Sequence, residues 1–168
     1  GYNNLGISYG CLGKHKTAIE YYEKSLAMEL RLYPNADHPD IAASYNNIGI
    51  AYNKLGKDNK AIEYYEKSLA MELRLYPNAD HPDIAASYNN IGTAYDRLGK
   101  HEKAIEYLEK SLEMRLRLYP NADHPDITAS YNNIGLVYDG LGQYRKAIEY
   151  RKKAEEVTAR LKAAQEKK

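Results

Sequence analysis

Five histidines, one cysteine and several near-paired carboxylates are the residues of this 168-residue sequence that could do chemistry. A metal site needs His, Cys or carboxylate ligands converging on one point. His38, His81 and His124 instead recur once every 43 residues, each just before a proline. One repeat step separates them, so their expected role is helix capping and packing. The stretch GCLGK at 10–14 resembles a phosphate loop, but Ser8 stands where the first glycine is required and His15 where Ser or Thr is. Glu20 and Glu23 lie beside Lys24, which reads as i,i+4 support on a solvated face rather than a general acid–base pair. Cys11 is read as an incidental free thiol or as a reactive one. No nucleophile–base–orienter set emerges. The expectation is a protein that is not an enzyme, with no cofactor and no metal.

A different polar signal is far more insistent. Two adjacent asparagines follow a tyrosine and precede a glycine by one residue at Asn3/Asn4, Asn46/Asn47, Asn89/Asn90 and Asn132/Asn133. A carboxamide offers two donors and an acceptor without a charge to desolvate. Such a group can grip the backbone of an extended peptide whatever its side chains.

These pairs are 43 residues apart, and a fixed period of this size marks a stacked repeat array. Residues 33–75 and 76–118 differ only at Ile50/Thr93, Asn53/Asp96, Lys54/Arg97, Asp58/His101, Asn59/Glu102, Tyr65/Leu108, Ala70/Glu113 and Glu72/Arg115. The chain therefore parses as a partial repeat (1–32), three full repeats (33–75, 76–118, 119–161) and a tail (162–168), read as one solenoid over 1–168.

Composition agrees. A mean hydropathy of −0.73 is low for a globular core, but a repeat buries only its contacts with its neighbours. The apolar bulk also hides in 18 tyrosines, with no Phe or Trp. A net charge of +1 with interspersed signs argues against nucleic acid, which calls for a basic stripe. No apolar run reaches the roughly 20 residues of a membrane span. A lone cysteine excludes an internal disulfide framework and fits a reducing, cytoplasmic setting.

Within residues 37–76, DHPD predicts a helix start: Asp37 or His38 caps, Pro39 has no N–H to waste, and Asp40 suits the positive helix end. Ile41, Tyr45, Ile48, Tyr52 and Leu55 then follow in steps of three and four, an amphipathic helix A ended by Gly56. Helix B begins near Asp58, with Ala61, Ile62, Tyr65, Leu69 and Leu73 along its apolar face. YPNAD breaks the chain, because Pro77 cannot continue a helix and Asn78 favours a turn. Mid-helix Gly49 costs about 1 kcal/mol against Ala, so a close approach of helix B is expected there. Tyr45 is expected in the core, with Tyr45→Ala costing about 3–5 kcal/mol.

Tyr45, Ile48, Gly49, Tyr52, Ala61 and Tyr65 follow in order the pattern of the tetratricopeptide repeat (TPR) family, which this sequence resembles over nearly its whole length. The match recurs at Tyr88, Ile91, Gly92, Tyr95 and Ala104, at Tyr131, Ile134, Gly135, Tyr138 and Ala147, and at Tyr2, Leu5, Gly6, Tyr9, Ala18 and Tyr22. Leu108 and Arg151 stand in the aromatic place of two repeats. The period of 43 exceeds the usual 34, and this long form with HPD and a double asparagine resembles the repeats of kinesin light chains and nephrocystin-like proteins. The resemblance implies an all-α, right-handed α-solenoid of stacked helix-turn-helix units.

It also implies a concave groove lined by helix A that binds a partner protein or peptide. Carried onto this sequence, the groove positions are Asn3, Asn4, Asn46, Asn47, Ile50, Asn53, Lys54, Asn89, Asn90, Thr93, Asp96, Arg97, Asn132, Asn133, Leu136 and Asp139. Variation at 50/93/136, 53/96/139 and 54/97/140 is what side-chain specificity would look like. The competing reading is that the asparagines bond one another and set the superhelix.

The ends differ. The last helix carries Arg151, Glu155, Glu156 and Ala159 where another repeat has Tyr65, Leu69, Ala70 and Leu73, as a polar terminal cap would. Gly1 falls inside helix A, which points to a fragment of a longer array and to self-association through an uncovered N-terminal end. Two alternatives to peptide binding remain. One is a structural or self-associating array, engineered or homogenised; the other is the TPR arm of a larger enzyme or signalling protein.

Overall fold

Each full helix A opens on the same device. The backbone N–H of Asp40 donates to His38 Nδ1 at 3.1 Å, that of Asp83 to His81 at 3.2 Å, and that of Asp126 to His124 at 3.1 Å. Proline follows each histidine at the first helical position, where no N–H is needed. The imidazole is also fixed from the side: His38 stacks on Tyr33 with ring centres 3.6 Å apart, and His124 on Tyr119 at 3.7 Å. The histidine, not Asp37, is the cap.

The computed structural model describes residues 1–167; Lys168, the last residue of the expected tail, lies outside the described residues. Among them are eight α-helices, one 3₁₀ turn (Pro120–Ala122) and no strand. The chain divides into two compact halves, Gly1–Ala79 and the part from Asp80 onward. The first contains α1 (Tyr2–Cys11), α2 (His15–Leu32), α3 (Pro39–Lys54) and α4 (Asp58–Leu75). The second contains α5 (Pro82–Arg97), α6 (His101–Leu118), α7 (Pro125–Gly140) and α8 (Tyr144–Glu166). Within each half, every helix packs on its neighbours along the chain.

The turns between A and B are fixed by glycine. Gly56 takes φ +70°, its N–H donates to Asn53 O at 3.0 Å, and the Lys57 N–H reaches Tyr52 O at 2.9 Å. This pair of bonds is a Schellman C-cap, and a left-handed φ is what makes it a glycine position. The links between hairpins turn on asparagine instead: Asn35, Asn78 and Asn121 sit at φ 59°, 56° and 65°, a region asparagine tolerates better than most residues.

The cores follow the helical periodicity. In the first half Ile48, Ala51, Ala18, Ile19 and Tyr22 form one buried cluster, and Ile41, Ala42 and Met71 another. In the second, Leu108, Leu112, Ile127, Ile134, Val137 and Val157 are buried together. Burying one such aliphatic side chain contributes about 1.5–3 kcal/mol. A buried serine ties the two middle hairpins: Ser68 Oγ donates to Ala42 O, and Ser111 Oγ to Ala85 O, both at 2.7 Å. The close approach expected at Gly49 is present, because a Cβ there would stand 2.7 Å from the Tyr65 ring.

Two expectations about the core need correction. Tyr45 and Tyr52 are only half-buried. They flank Tyr64, which stacks on Tyr52 at 5.5 Å and tilts against Tyr45 at 6.2 Å. Truncating Tyr45 therefore removes a boundary ring rather than a core one, and costs less than 3–5 kcal/mol. Leu73 is exposed as well, although Met71 before it and Leu75 after it both pack toward Ile41 and Ala42.

Candidate functional site

The asparagine pairs bond to one another in a defined register. Asn47 Nδ2 on α3 donates to Asn3 Oδ1 on α1 at 3.2 Å. In the second half Asn133 Nδ2 on α7 donates to Asn89 Oδ1 on α5 at 3.0 Å. The second asparagine of one helix A thus reaches the first asparagine of the helix A before it, a separation of 44 residues. Asn46, Asn47, Asn89, Asn90 and Asn133 are half-buried, while Asn4 and Asn132 are exposed. The bond occupies one N–H of Asn47 and leaves the rest of its carboxamide to other partners.

Near the end of each full helix A, the varying residue is paired with its own helix B. Asn53 Nδ2 donates to Asp58 Oδ1 at 2.9 Å. Asp96 meets His101 Nδ1 at 2.8 Å. Asp139 pairs with Arg151. Where position 53 becomes acidic at 96, the acidic partner at 58 becomes histidine at 101. The sequence gives both differences, but their coupling needed the two helix ends side by side. Thr93 is half-buried and its hydroxyl donates back to Asn89 O at 2.9 Å. Ile50, Leu136, Lys54 and Arg97 are exposed; Leu136 is 57% accessible, well above what a helix core position allows.

In the first half a hollow of about 240 Å³ opens between α1, α2 and α3, with Asn47, Ile50 and Lys54 on one wall. The structure thus brings three of the expected groove residues together around one concavity.

Further features were not singled out from sequence. Each hairpin carries a tyrosine triad flanked by lysines. In α3–α4, Lys67 Nζ lies 4.8 Å from the Tyr64 ring centre and Lys60 Nζ 5.3 Å from Tyr52. In α7–α8, Lys153 and Lys146 each lie 5.0 Å from Tyr150 and Tyr138. These distances are within cation–π range. Lys60 and Lys67 flank Tyr64 at i−4 and i+3, which is the signal sequence reading could have used. Arg115, in the place of Glu72, is 7% exposed. Its Nη1 donates to Asp126 O at 2.9 Å and Ser130 Oγ at 2.6 Å. Burial, the largest cause, lowers its pKa, opposed by the charges of Asp126 and Tyr119.

Among the described residues no three His, Cys, Asp or Glu side chains converge on a point that could hold a metal. Among the same residues no helix is long and apolar enough to cross a membrane.

Known proteins resemble the chain in both sequence pattern and geometry. Tetratricopeptide repeat family models match residues 1–74, 70–117 and 128–160. A comparison with curated proteins finds no match. Among solved structures, BtubC (BKLC) from P. vanneervenii superposes with a TM-score of 0.86 at 26% identity over 96% of this chain. The match spans 63% of that protein's chain, so this chain covers less than two thirds of it. A candidate kinesin light chain of Podosopora anserina, built of nearly identical TPR-like repeats, matches over 95% of this chain and 74% of its own, with a TM-score of 0.80 and 24% identity. MamA matches over 95% and 77%, with a TM-score of 0.68 and 28% identity. With family models covering most of its length and its hairpins laid out as long-form repeats like those of kinesin light chains, the chain belongs to the tetratricopeptide repeat family.

Proposed function

We propose that this chain is a non-catalytic interaction array that holds an extended peptide or partner segment along the face of helix A carrying the asparagine pairs. Tetratricopeptide repeats are protein-interaction scaffolds in general. The observation that carries the finer reading is the hollow of the first half, where a carboxamide, an exposed isoleucine and an exposed lysine (Asn47, Ile50, Lys54) share one concave wall. The Asn–Asn bonds support a double role. One N–H of Asn47 sets the register to Asn3, and the remaining donor and acceptor serve a ligand backbone. Residues 1–161 then act as one binding array of a partial and three full repeats, in a cytoplasmic setting.

Changing Asn47, Asn90 and Asn133 together to alanine, with circular dichroism to confirm folding, tests this. Partners captured by the parent array from lysate and identified by mass spectrometry should be lost. Equal partner sets with a clear drop in melting temperature would refute the binding role and leave the asparagines as spacers of the superhelix.

A second reading, self-association, rests on one contrast. Leu5 on α1 is 44% exposed, while its counterparts Ile48, Ile91 and Ile134 are 0% exposed. A sedimentation profile that stays monomeric at high concentration would remove it.

A further inference from the structure

Each half of the chain contains one complete junction between a helix B and the helix A that follows it. In the first, Ile19 of α2 lies with Ile48 and Ala51 of α3, and Ile19 is 7% exposed and Ile48 0%. The second asparagine of the following helix A donates to the first asparagine of the one before, Asn47 to Asn3 and Asn133 to Asn89. Among the described residues no helix B precedes α1 and no helix A follows α8. The apolar side chains of the junction are accordingly open there. Leu5, the counterpart of Ile48, is 44% exposed, and Met28, the counterpart of Met71, is 43% exposed where Met71 is 8%. On α8, Ile148 holds the place of Ile19 and is 52% exposed.

The polar register is open at the same two places. Asn4 is a second asparagine with no earlier helix A to donate to, and Asn132 is a first asparagine that no later helix A reaches. Both are exposed, whereas Asn3, Asn47, Asn89 and Asn133 are half-buried. Asn4 lines a hollow of about 420 Å³ together with Leu5 and Met28. Asn132 lines one of about 320 Å³ together with Thr128 on α7 and Thr158 on α8. Thr128 Oγ1 is shielded from water and has no hydrogen-bond partner, and buried hydroxyls ordinarily have one. That orphaned hydroxyl marks the α7–α8 hollow as an unfinished contact rather than a finished surface.

We propose that these two surfaces dock on each other between copies of this chain: α1 of one copy seats on α7 and α8 of another and continues the repeat register head to tail. This rests on the self-association reading above and names the surface that receives α1. Asn4 Nδ2 of the incoming copy donates to Asn132 Oδ1. Leu5 and Ser8 cover Ile148, as Ile48 and Ala51 cover Ile19. Leu26 of α2 also lies against Ile41 and Ala42, and Glu155 holds its place on α8. α1 carries no counterpart of Ile41 or Ala42, so that carboxylate stays at the rim, in water. The contact is heterologous, so a dimer keeps one free surface of each kind and association passes beyond two copies.

Leu5→Glu and Ile148→Glu test this, because each spoils one surface and leaves the other whole. Both residues are exposed, and circular dichroism confirms that both variants fold. Sedimentation velocity is run over a wide concentration range. The parent should grow in size with concentration. Each variant alone should associate more weakly by about tenfold or more, the effect of pressing an unpaired carboxylate into an apolar contact. An equimolar mixture should recover a species of two copies and nothing larger, since the sound α1 surface of the Ile148→Glu variant meets the sound α8 surface of the Leu5→Glu variant. A parent that stays monomeric removes self-association altogether, and the proposal with it. If Ile148→Glu associates like the parent while Leu5→Glu does not, α1 pairs with its own kind: self-association stands and the head-to-tail proposal is overturned. A mixture no larger than either variant alone overturns it too, as do variants that both behave like the parent.

Discussion

The motif glycine of helix A should respond to alanine with opposite sign in different repeats, and the structure says in which. At Gly49 an added Cβ would stand 2.7 Å from two carbons of the Tyr65 ring and 3.3 Å from Ala61 O. Carbon–carbon contacts settle near 3.5–4.0 Å, so the ring would have to retreat by roughly 1 Å. Tyr65 is 3% exposed and packed on all sides, and forced overpacking of this kind costs about 1–3 kcal/mol. Against it stands the gain of about 1 kcal/mol from replacing a mid-helix glycine. Taking the upper part of the packing cost, Gly49→Ala should lose about 2 kcal/mol. At Gly135 the same Cβ meets Ala147 O at 3.3 Å and the Arg151 and Tyr150 side chains at 3.6 Å. Arg151 is exposed and can move aside, so the propensity gain survives and Gly135→Ala should be neutral or stabilising by up to about 1 kcal/mol. Urea denaturation of the two variants beside the parent, followed at 222 nm, gives the comparison directly. If both substitutions shift the midpoint the same way, the glycines are not there for the approach of helix B.

The remaining expectations are shorter. Asn133→Ala removes the bond to Asn89 Oδ1 and should cost about 1 kcal/mol; a variant as stable as the parent would show that the ladder does not hold the stack. Asp96→Asn with His101→Asp rebuilds in the third repeat the pair found at Asn53–Asp58. The double variant should be more stable than the sum of the singles, and strict additivity in the cycle would deny the coupling. Hydrogen bonds from Arg74, Arg117, Lys67, Lys110 and Lys153 hold the carboxyls of Asp37, Asp80, Glu63, Glu106 and Glu149 below the usual range. Their folded pKa values are depressed, so their contribution is present above the unfolded values near about pH 4 and is lost as pH falls through the folded ones. Melting temperature should fall at the acid end, and Arg74→Gln with Arg117→Gln should make that fall shallower; an identical acid limb would remove these two pairs from the account. His124→Ala deletes a side-chain cap and a ring stack together and should cost about 1 kcal/mol or more; an unchanged urea midpoint would mean the cap is dispensable.

What was legible in the sequence is what depends on neighbours along the chain. The 43-residue period, the start at His38 and Pro39, the stop at Gly56 and the turn at Asn78 are each local, and each is where the spacing puts it. Gly49 was legible because a costly residue in a helix needs a reason, and the small Ala61 opposite supplied one. The Asn47–Asn3 bond was not. Which asparagine meets which depends on how far one hairpin rotates and rises against the last, and no single repeat encodes that number. Tyr45 was misplaced for a related reason. Its spacing marks the face toward helix B, but the rim of that face is shared with Tyr64 and open to water. Arg115 could not be foreseen as buried, because an arginine replacing Glu72 looks like surface variation until Ser130 and the Asp126 carbonyl are found against it.

The coupling of the corner pairs changes what variation between repeats means. Positions 53/96/139 differ, but each is tied to its own helix B, and two of the three vary together with 58 and 101. A change there preserves a corner of the hairpin; it need not track a ligand. Positions 50/93/136 carry no such obligation as a set. Ile50 and Leu136 are exposed apolar side chains with no polar partner to preserve, and Thr93 alone is bonded to its own helix. If this face discriminates between partners by side chain, exchange at 50 and 136 must change which partner is held, while the double exchange at 96 and 101 must not. Affinity for a captured peptide that shifts with the corner pair and ignores Ile50→Thr and Leu136→Thr would reverse that assignment.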